Sequence, residues 1–487
     1  MRTYFKPVLI VSLLAGVSLA ALAGCTMNPA TGENQFAALM SPQQESTVGA
    51  QEHEKILQQF GGTLKDAQIT SYVERIGQRV ARDTERPDVQ YKFFVLDTPT
   101  VNAFALPGGY VYVTRGILAL ANTEAQLASV LAHEVAHVTA RHSAERYSHG
   151  VVTSLGAAIL SAALDNSTAS QAASIGSELY ITSYSRKQES QADTLGIRYL
   201  DRAGYSPAAM AEFLNNLARF TAFEAQESGR ANTNAGYFST HPQTEERAAE
   251  AVQVAANTSG SANETGREAY LKTVDGLTFG DSADQGLIRG NTFWHPQMNF
   301  TFTVPEGYAI ANNPTEIVAK DKASGTVILF DSVSSNSAPA TYLAQDWMKG
   351  QAVSKVETID VNGKPAATAD FAAVINKRPV TVRLVAVQWT NGTIFRFQMA
   401  IPQAANASVV EGLKKTTYSL RTMTSAEKQS IRPYRLKIVT AGAGDSVTSL
   451  SRNQPYKTLN EQRFRALNGL NPADNVTAGM QYKVVVE

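Results

Sequence analysis

Thr123-Glu124-Ala125-Gln126-Leu127-Ala128-Ser129-Val130-Leu131-Ala132-His133-Glu134-Val135-Ala136-His137-Val138 is the stretch on which the reading of this chain turns. Thr123, followed three residues later by Gln126, fits a capping box: the threonine oxygen takes an amide that a helix start leaves unpaired, and the glutamine reaches back. Leu127, Val130, Leu131, Val135 and Val138 recur at helical spacing, which predicts a helix from Thr123 to about Tyr147 with one apolar stripe. Within it, His133 and His137 are four residues apart and share a face. Both imidazoles can reach one metal ion, and Glu134 beside them can hold a metal-bound water. Bound zinc lowers the pKa of such a water toward about 7, and the carboxylate can take its proton and pass it to a leaving amine. With 7 histidines in 487 residues, a chance match to this pattern has odds on the order of one in 200, so a pair of structural histidines is the poorer reading.

A catalytic zinc site uses three protein ligands and keeps one position open. The spacing His-x-x-Gly-x-x-His would put a third histidine at position 143, which is Ser143; His142 is one residue off that register and is expected to face away. A carboxylate on another helix is the second source. Between Arg186 and Leu200, Glu189 and Asp193 are four apart and share a face, so one can ligate while the other orients the far ring nitrogen of a ligand histidine. Upstream, Tyr91–Leu96 and Tyr110–Thr114 read as strands, with Pro107-Gly108-Gly109 as the turn entering the second.

Four segments in this order resemble the M48 peptidases, the group containing the CAAX prenyl proteases and bacterial heat-shock and outer-membrane quality-control peptidases. They are Asn102-Ala103-Phe104-Ala105-Leu106-Pro107-Gly108-Gly109, His133-Glu134-Val135-Ala136-His137, Glu189-Ser190-Gln191-Ala192-Asp193, and His241-Pro242 followed by Arg247. The resemblance spans about residues 28–255. It implies a mainly helical, zincin-like domain with a small sheet. It implies one Zn2+ held by His133, His137 and Glu189, with Glu134 activating water. Asp193 would support a ligand histidine and pair with Arg247. His241 would face the metal, either stabilising the oxyanion or capping the metal in a latent state. Asn102 and Ala103 would lie on an edge strand that pairs with extended substrate, which selects unfolded chain over folded protein.

Outside this region the chain is less eloquent. Its length suggests two to four domains, and 44% hydrophobic with 18% charged residues is a globular composition. Lys+Arg and Asp+Glu both number 43, so no basic surplus argues for nucleic acid as a partner. Arg2 and Lys6 precede an apolar run, Val8 to Ala23. At about 16 residues it falls short of the ~20 that a spanning helix needs, so residues 1–24 read as a signal peptide. Leu22-Ala23-Gly24-Cys25 resembles the bacterial lipobox, which implies that Cys25, the single cysteine, is lipidated. Thr26 after it, in place of Asp, points to the outer membrane facing the periplasm. Val151–Leu164 is apolar but too short to span and reads as a buried helix or a mobile element near the cleft.

The expected organisation is a peptidase domain over 25–255, a linker over 256–290, an α/β accessory domain over 291–425 and a small unit over 430–487. His295 is isolated and reads as structural. In the last unit, Gly444-Asp445-Ser446, Leu450, Leu467-Asn468-Gly469-Leu470 and Gly479 before Tyr482 resemble a LysM-type unit, implying peptidoglycan as a partner; a plain βααβ docking module suits the same pieces. The expected fold class is α+β. The expected activity is zinc-dependent hydrolysis of misfolded or unassembled cell-envelope proteins. The competing reading is an envelope chaperone or peptidoglycan-anchored scaffold with a latent zinc site.

Overall fold

A computed structural model describes residues 25–163, 183–228, 236–242, 245–258, 262–349 and 355–487. The expected signal peptide, 1–24, lies outside them. Two compact units emerge, one of residues up to Leu277 together with Arg435–Val486, the other of Thr278–Tyr434. Helices and mostly antiparallel sheets make the fold class α+β. Among the described residues no helix is long and apolar enough to cross a membrane.

The first unit opens with a hairpin of β1 (Cys25–Met27) and β2 (Asn34–Phe36). Asn28 closes its turn by accepting from the amides of Ala30 and Thr31. Helices α1 (Pro42–Gln59) and α2 (Ala67–Ala81) follow, capped by Ser41 and Asp66. Three strands, β3 (Lys92–Leu96), β4 (Ala103–Leu106) and β5 (Tyr110–Thr114), form a sheet in the order β3-β5-β4. β3 runs parallel to β5 and β4 antiparallel. The β4–β5 turn needs its glycines: Gly108 and Gly109 have φ of +79° and +91°, where a side chain is strained, and a Cβ on Gly108 would stand 2.7 Å from the Ser46 Cα.

Short α3 (Arg115–Leu120) leads to α4 (Glu124–Thr139), where Thr123 caps through the Gln126 amide as expected, but the Gln126 side chain accepts from the Asn122 amide at 2.9 Å rather than closing a capping box. All 16 residues of α4 are buried, so the helix runs through the middle of the unit rather than presenting one stripe. It packs on α2, β4, α6 (Arg186–Arg202) and α7 (Ala209–Ser228). Its end differs from expectation. The helix stops at Thr139, Arg141 takes a left-handed φ of +56°, and α5 (His142–Ala163) starts in a new direction. An L-residue in that region is strained; here Arg141 is held by its bond to Glu45 Oε1, 2.7 Å, and by donating to the Met40 carbonyl. Val151 and its successors are helical through Ala163, while burial of the side chains from 154 on lies outside the described residues.

The short α8 (Tyr237–Thr240) precedes α9 (Glu245–Asn257) and α10 (Arg267–Val274). α10 falls in the span expected to be a linker, yet Tyr270, Leu271 and Val274 are buried and the Tyr270 hydroxyl donates to the Leu118 carbonyl at 2.6 Å. The terminal elements β6 (Tyr434–Thr440), α11 (Val447–Ser451), α12 (Asn460–Asn468) and β7 (Gln481–Val486) follow a βααβ order, with the strands antiparallel. Residues 435–486 cluster with the first unit. The buried Lys483 explains part of that: its Nζ donates to the carbonyls of Ala119, Leu120 and Ala121 at 2.6, 3.0 and 2.8 Å. These are the carbonyls that the end of α3 leaves unpaired, one turn before the cap of α4.

In the second unit, seven antiparallel strands run in the spatial order Ala309–Asn312, Ile317–Lys320, Val327–Ser334, Thr393–Pro402, Arg378–Thr390, Lys364–Ile375, Glu357–Val361. Period-two alternation sends Phe330, Phe395 and Phe397 into a core with Phe300, Phe302 and Leu413. His295 is buried there, its Nδ1 accepting from the Met298 amide at 3.3 Å.

Replacing Lys483 with Met removes this donor from all three carbonyls; that of Leu120 keeps the Asn122 Nδ2 at 3.2 Å, while those of Ala119 and Ala121 lose theirs, and one buried unpaired group costs roughly 1–3 kcal/mol. We expect Lys483→Met to lower the stability of the first unit by about 2 kcal/mol or more, measured as a shift in its urea unfolding midpoint.

Candidate metal centre

His133 and His137 project from the middle of α4, with their Nε2 atoms 3.0 Å apart. α6 crosses α4 closely at this level, because Gly196 has no side chain: a Cβ there would stand 3.2 Å from the His133 amide nitrogen. That approach brings Glu189, in the first turn of α6, to 3.6 Å (Oε2) from His133 Nε2 and 3.4 Å (Oε1) from His137 Nε2. His241 follows α8 directly. Its Nδ1 lies 3.2 Å from His133 Nε2 and 3.0 Å from Glu189 Oε1. The ligand-type atoms of these four buried residues all lie within 4.8 Å of one another. A tetrahedron with metal–ligand bonds of about 2.0–2.1 Å has edges of about 3.3 Å; five of the six residue pairs approach to 3.0–3.6 Å and all four atoms lie within 4.8 Å, a spacing on which the set can close around one ion.

Glu134 lies beside this set. It is fully buried and neither carboxylate oxygen has a hydrogen-bond partner; His241 Nε2 is 3.5 Å from Oε1. Burial pushes its carboxyl above the ordinary range. A buried carboxylate without a partner is costly, and one next to two imidazoles, a carboxylate and a third imidazole fits a metal centre that handles protons.

The surrounding groups hold these side chains in place. Asp193 lies one turn beyond Glu189 on the same face, with Oδ1 2.9 Å from His133 Nδ1. Arg247, on α9, donates to both oxygens of Asp193 at 2.8 and 2.9 Å. Its Nη1 is 2.7 Å from Glu189 Oε2 and also donates to the Pro242 carbonyl. Burial alone would raise both carboxyls. The His241 charge and bonds from His137 and His241 hold Glu189 well below its usual value, and Arg247 holds Asp193 below its own. Burial opposes protonation of His133, but the bond to Asp193 reverses the sign and raises it, whereas burial takes His137 well below the usual histidine value.

His142 does not face away. The left-handed turn at Arg141 carries it back beneath the site, where its Nδ1 is 2.8 Å from His137 Nδ1. Burial lowers its pKa to about 3, so the ring is neutral. Tyr184 stacks on His137 with ring centroids 3.7 Å apart, and Tyr237 on His241 at 4.4 Å. Neither tyrosine has a signal in the local sequence, since each arrives on a separate segment.

The sheet edge comes to the same place. Asn102 is buried; its side chain accepts from the Ala103 amide at 2.9 Å and from the Thr240 hydroxyl at 3.4 Å. The Tyr237 amide donates to the Val101 carbonyl at 2.7 Å, so the segment carrying His241 is bonded to the chain just before β4. Cys25 lies apart from this constellation, as the first residue of β1.

Residues 67–255 match the sequence profile of Peptidase family M48. The chain is 32% identical over 205 residues to mitochondrial metalloendopeptidase OMA1 of Schizosaccharomyces pombe, covering 42% of this chain and 58% of that protein. It is 33% identical over 167 residues to a putative beta-barrel assembly-enhancing protease of Vibrio cholerae, covering 32% and 34%. With the beta-barrel assembly-enhancing protease of Escherichia coli it shares 31% identity over 197 residues, 39% of each. The matched region thus spans about a third to three-fifths of the length of these relatives.

Removing the guanidinium would leave two buried carboxylates facing each other. We expect Arg247→Met to cost about 3–5 kcal/mol of stability, read from chemical unfolding. The Asp193 carboxyl is depressed when folded, so its share of stability is present above the unfolded value near 3.8 and is lost as pH falls through the lower folded value; the stability difference between Arg247→Met and wild type should therefore shrink under strongly acidic conditions.

Proposed function

We propose, since residues 67–255 are a peptidase family M48 domain, that this chain is a zinc-dependent endopeptidase acting on misfolded or unassembled cell-envelope proteins. The observation that carries this reading is the set of four ligand-type atoms within 4.8 Å of one another beside a buried Glu134 whose carboxylate oxygens have no hydrogen-bond partner. His133, His137 and Glu189 would hold the ion; two imidazoles, one carboxylate and one further position suit zinc. When bound, zinc supplies a Lewis acid that acidifies water and polarises a peptide carbonyl. Glu134 takes the water proton and returns it to the leaving amine, a role that suits a carboxyl whose pKa burial has raised. Asp193 fixes the His133 ring, and Arg247 keeps Asp193 ionised where burial would protonate it, while lying 2.7 Å from Glu189.

His241 is read as a cap. Its Nδ1 stands at the fourth corner, where substrate and water would need to enter. Extended substrate would pair with the edge at Asn102 and Ala103. Two relatives are named as beta-barrel assembly-enhancing proteases, which supports envelope proteins as the substrate class. In this account a lipid on Cys25 tethers the enzyme to the outer membrane facing the periplasm, and the terminal βααβ unit would be the part that meets peptidoglycan. The occupied fourth corner also gives the second reading its support: a chaperone or scaffold whose zinc site stays latent.

Zinc content and casein cleavage of the full chain separate these readings. Glu134→Gln should retain zinc and lose at least about 100-fold in kcat/KM. His241→Ala should retain zinc and cleave faster than wild type. Zinc without cleavage in wild type and in His241→Ala would favour the latent scaffold.

A further inference from the structure

We infer that His142 and Gln191 are positioning residues that lock the His137 ring in one tautomer, through a relay that ends at Glu33 in the N-terminal hairpin turn. The inference rests on the zinc reading, because the ion sets the direction of the relay.

The two ligand histidines are supported differently. His133 Nδ1 faces the carboxylate of Asp193 at 2.9 Å, a partner that accepts a proton in any arrangement. His137 Nδ1 faces another imidazole nitrogen, His142 Nδ1, at 2.8 Å. A neutral imidazole has one donor and one acceptor, so this contact works only if one nitrogen carries hydrogen and the other does not. A metal on His137 Nε2 needs that lone pair, which puts the hydrogen on His137 Nδ1. His142 Nδ1 must then accept, which puts the His142 hydrogen on Nε2. That nitrogen is 3.1 Å from Gln191 Oε1, an obligate acceptor, and Gln191 Nε2 donates to Glu33 Oε2 at 3.0 Å. Each step closes in one direction only. Glu33 also pairs with Lys187 at 2.6 Å, so the far end of the relay is a carboxylate oxygen, a suitable acceptor for Gln191 Nε2. Tyr184 stacks on the His137 ring with centroids 3.7 Å apart.

Orienting partners of a metal-bound histidine are worth about 10–100-fold in metal affinity. In the zinc-loaded full chain, ring nitrogen NMR should find His137 protonated at Nδ1 and His142 at Nε2; a His142 proton at Nδ1 overturns the relay. In competition with a chromophoric chelator, His142→Leu should bind zinc about 10–100-fold more weakly. His142→Asn, whose Oδ1 replaces the accepting nitrogen, should recover most of that loss, which a role in packing alone would not predict. Wild-type affinity in His142→Leu, or equal loss in both variants, overturns the inference and leaves the zinc reading standing. A wild-type chain that binds no zinc removes the zinc reading and the relay with it.

Discussion

One guanidinium between two buried carboxylates is the constraint on which the first unit depends. In the proposed zinc site Glu189 and Asp193 would have to be ionised to ligate and to orient, yet both are buried, where a lone charge is expensive. Arg247 meets that cost by donating to Asp193 twice and lying against Glu189, with His133, His137 and His241 on the other side. Replacing such a cluster with apolar residues could stabilise the fold, so its presence is an argument for chemistry rather than for stability. The packing follows from it. Gly196 admits α6 close to α4, α4 is buried on all sides, and α9 returns to deliver the arginine.

His241 and the edge strand β4 are mechanically linked. His241 lies at the end of a segment bonded at three points: Tyr237 to the Val101 carbonyl, Thr240 to Asn102, and the Thr240 carbonyl to the Tyr184 amide. Moving His241 away from Glu189 would disturb bonds next to β4, and Tyr184 stacks on His137. In the proposed reading, an extended chain adding beside β4 would compete for the neighbourhood that holds His241.

The local part of this arrangement is legible in the sequence. His133, Glu134 and His137 announce themselves by helical spacing, Thr123 by its cap, and Glu189 with Asp193 by sharing a face of α6. What escapes is placed by long-range or unusual backbone. His142 looks misregistered for as long as the helix is taken to continue; nothing in Ala140-Arg141 signals a left-handed turn, which depends on Glu45, far away in the chain. Lys483 meets carbonyls more than 360 residues earlier, and no local pattern could assign the terminal elements to the first unit. The stretch read as a linker contains α10 because Tyr270, Leu271 and Val274 find a core that composition alone does not reveal.

The central claim is that one zinc ion sits among His133, His137 and Glu189. Anomalous diffraction at the zinc edge, on crystals of the full chain, tests it most directly. The account predicts a single peak per chain, about 2.0–2.2 Å from His133 Nε2, His137 Nε2 and a Glu189 oxygen. Zinc bound elsewhere, or no peak in protein that still cleaves casein, would contradict it.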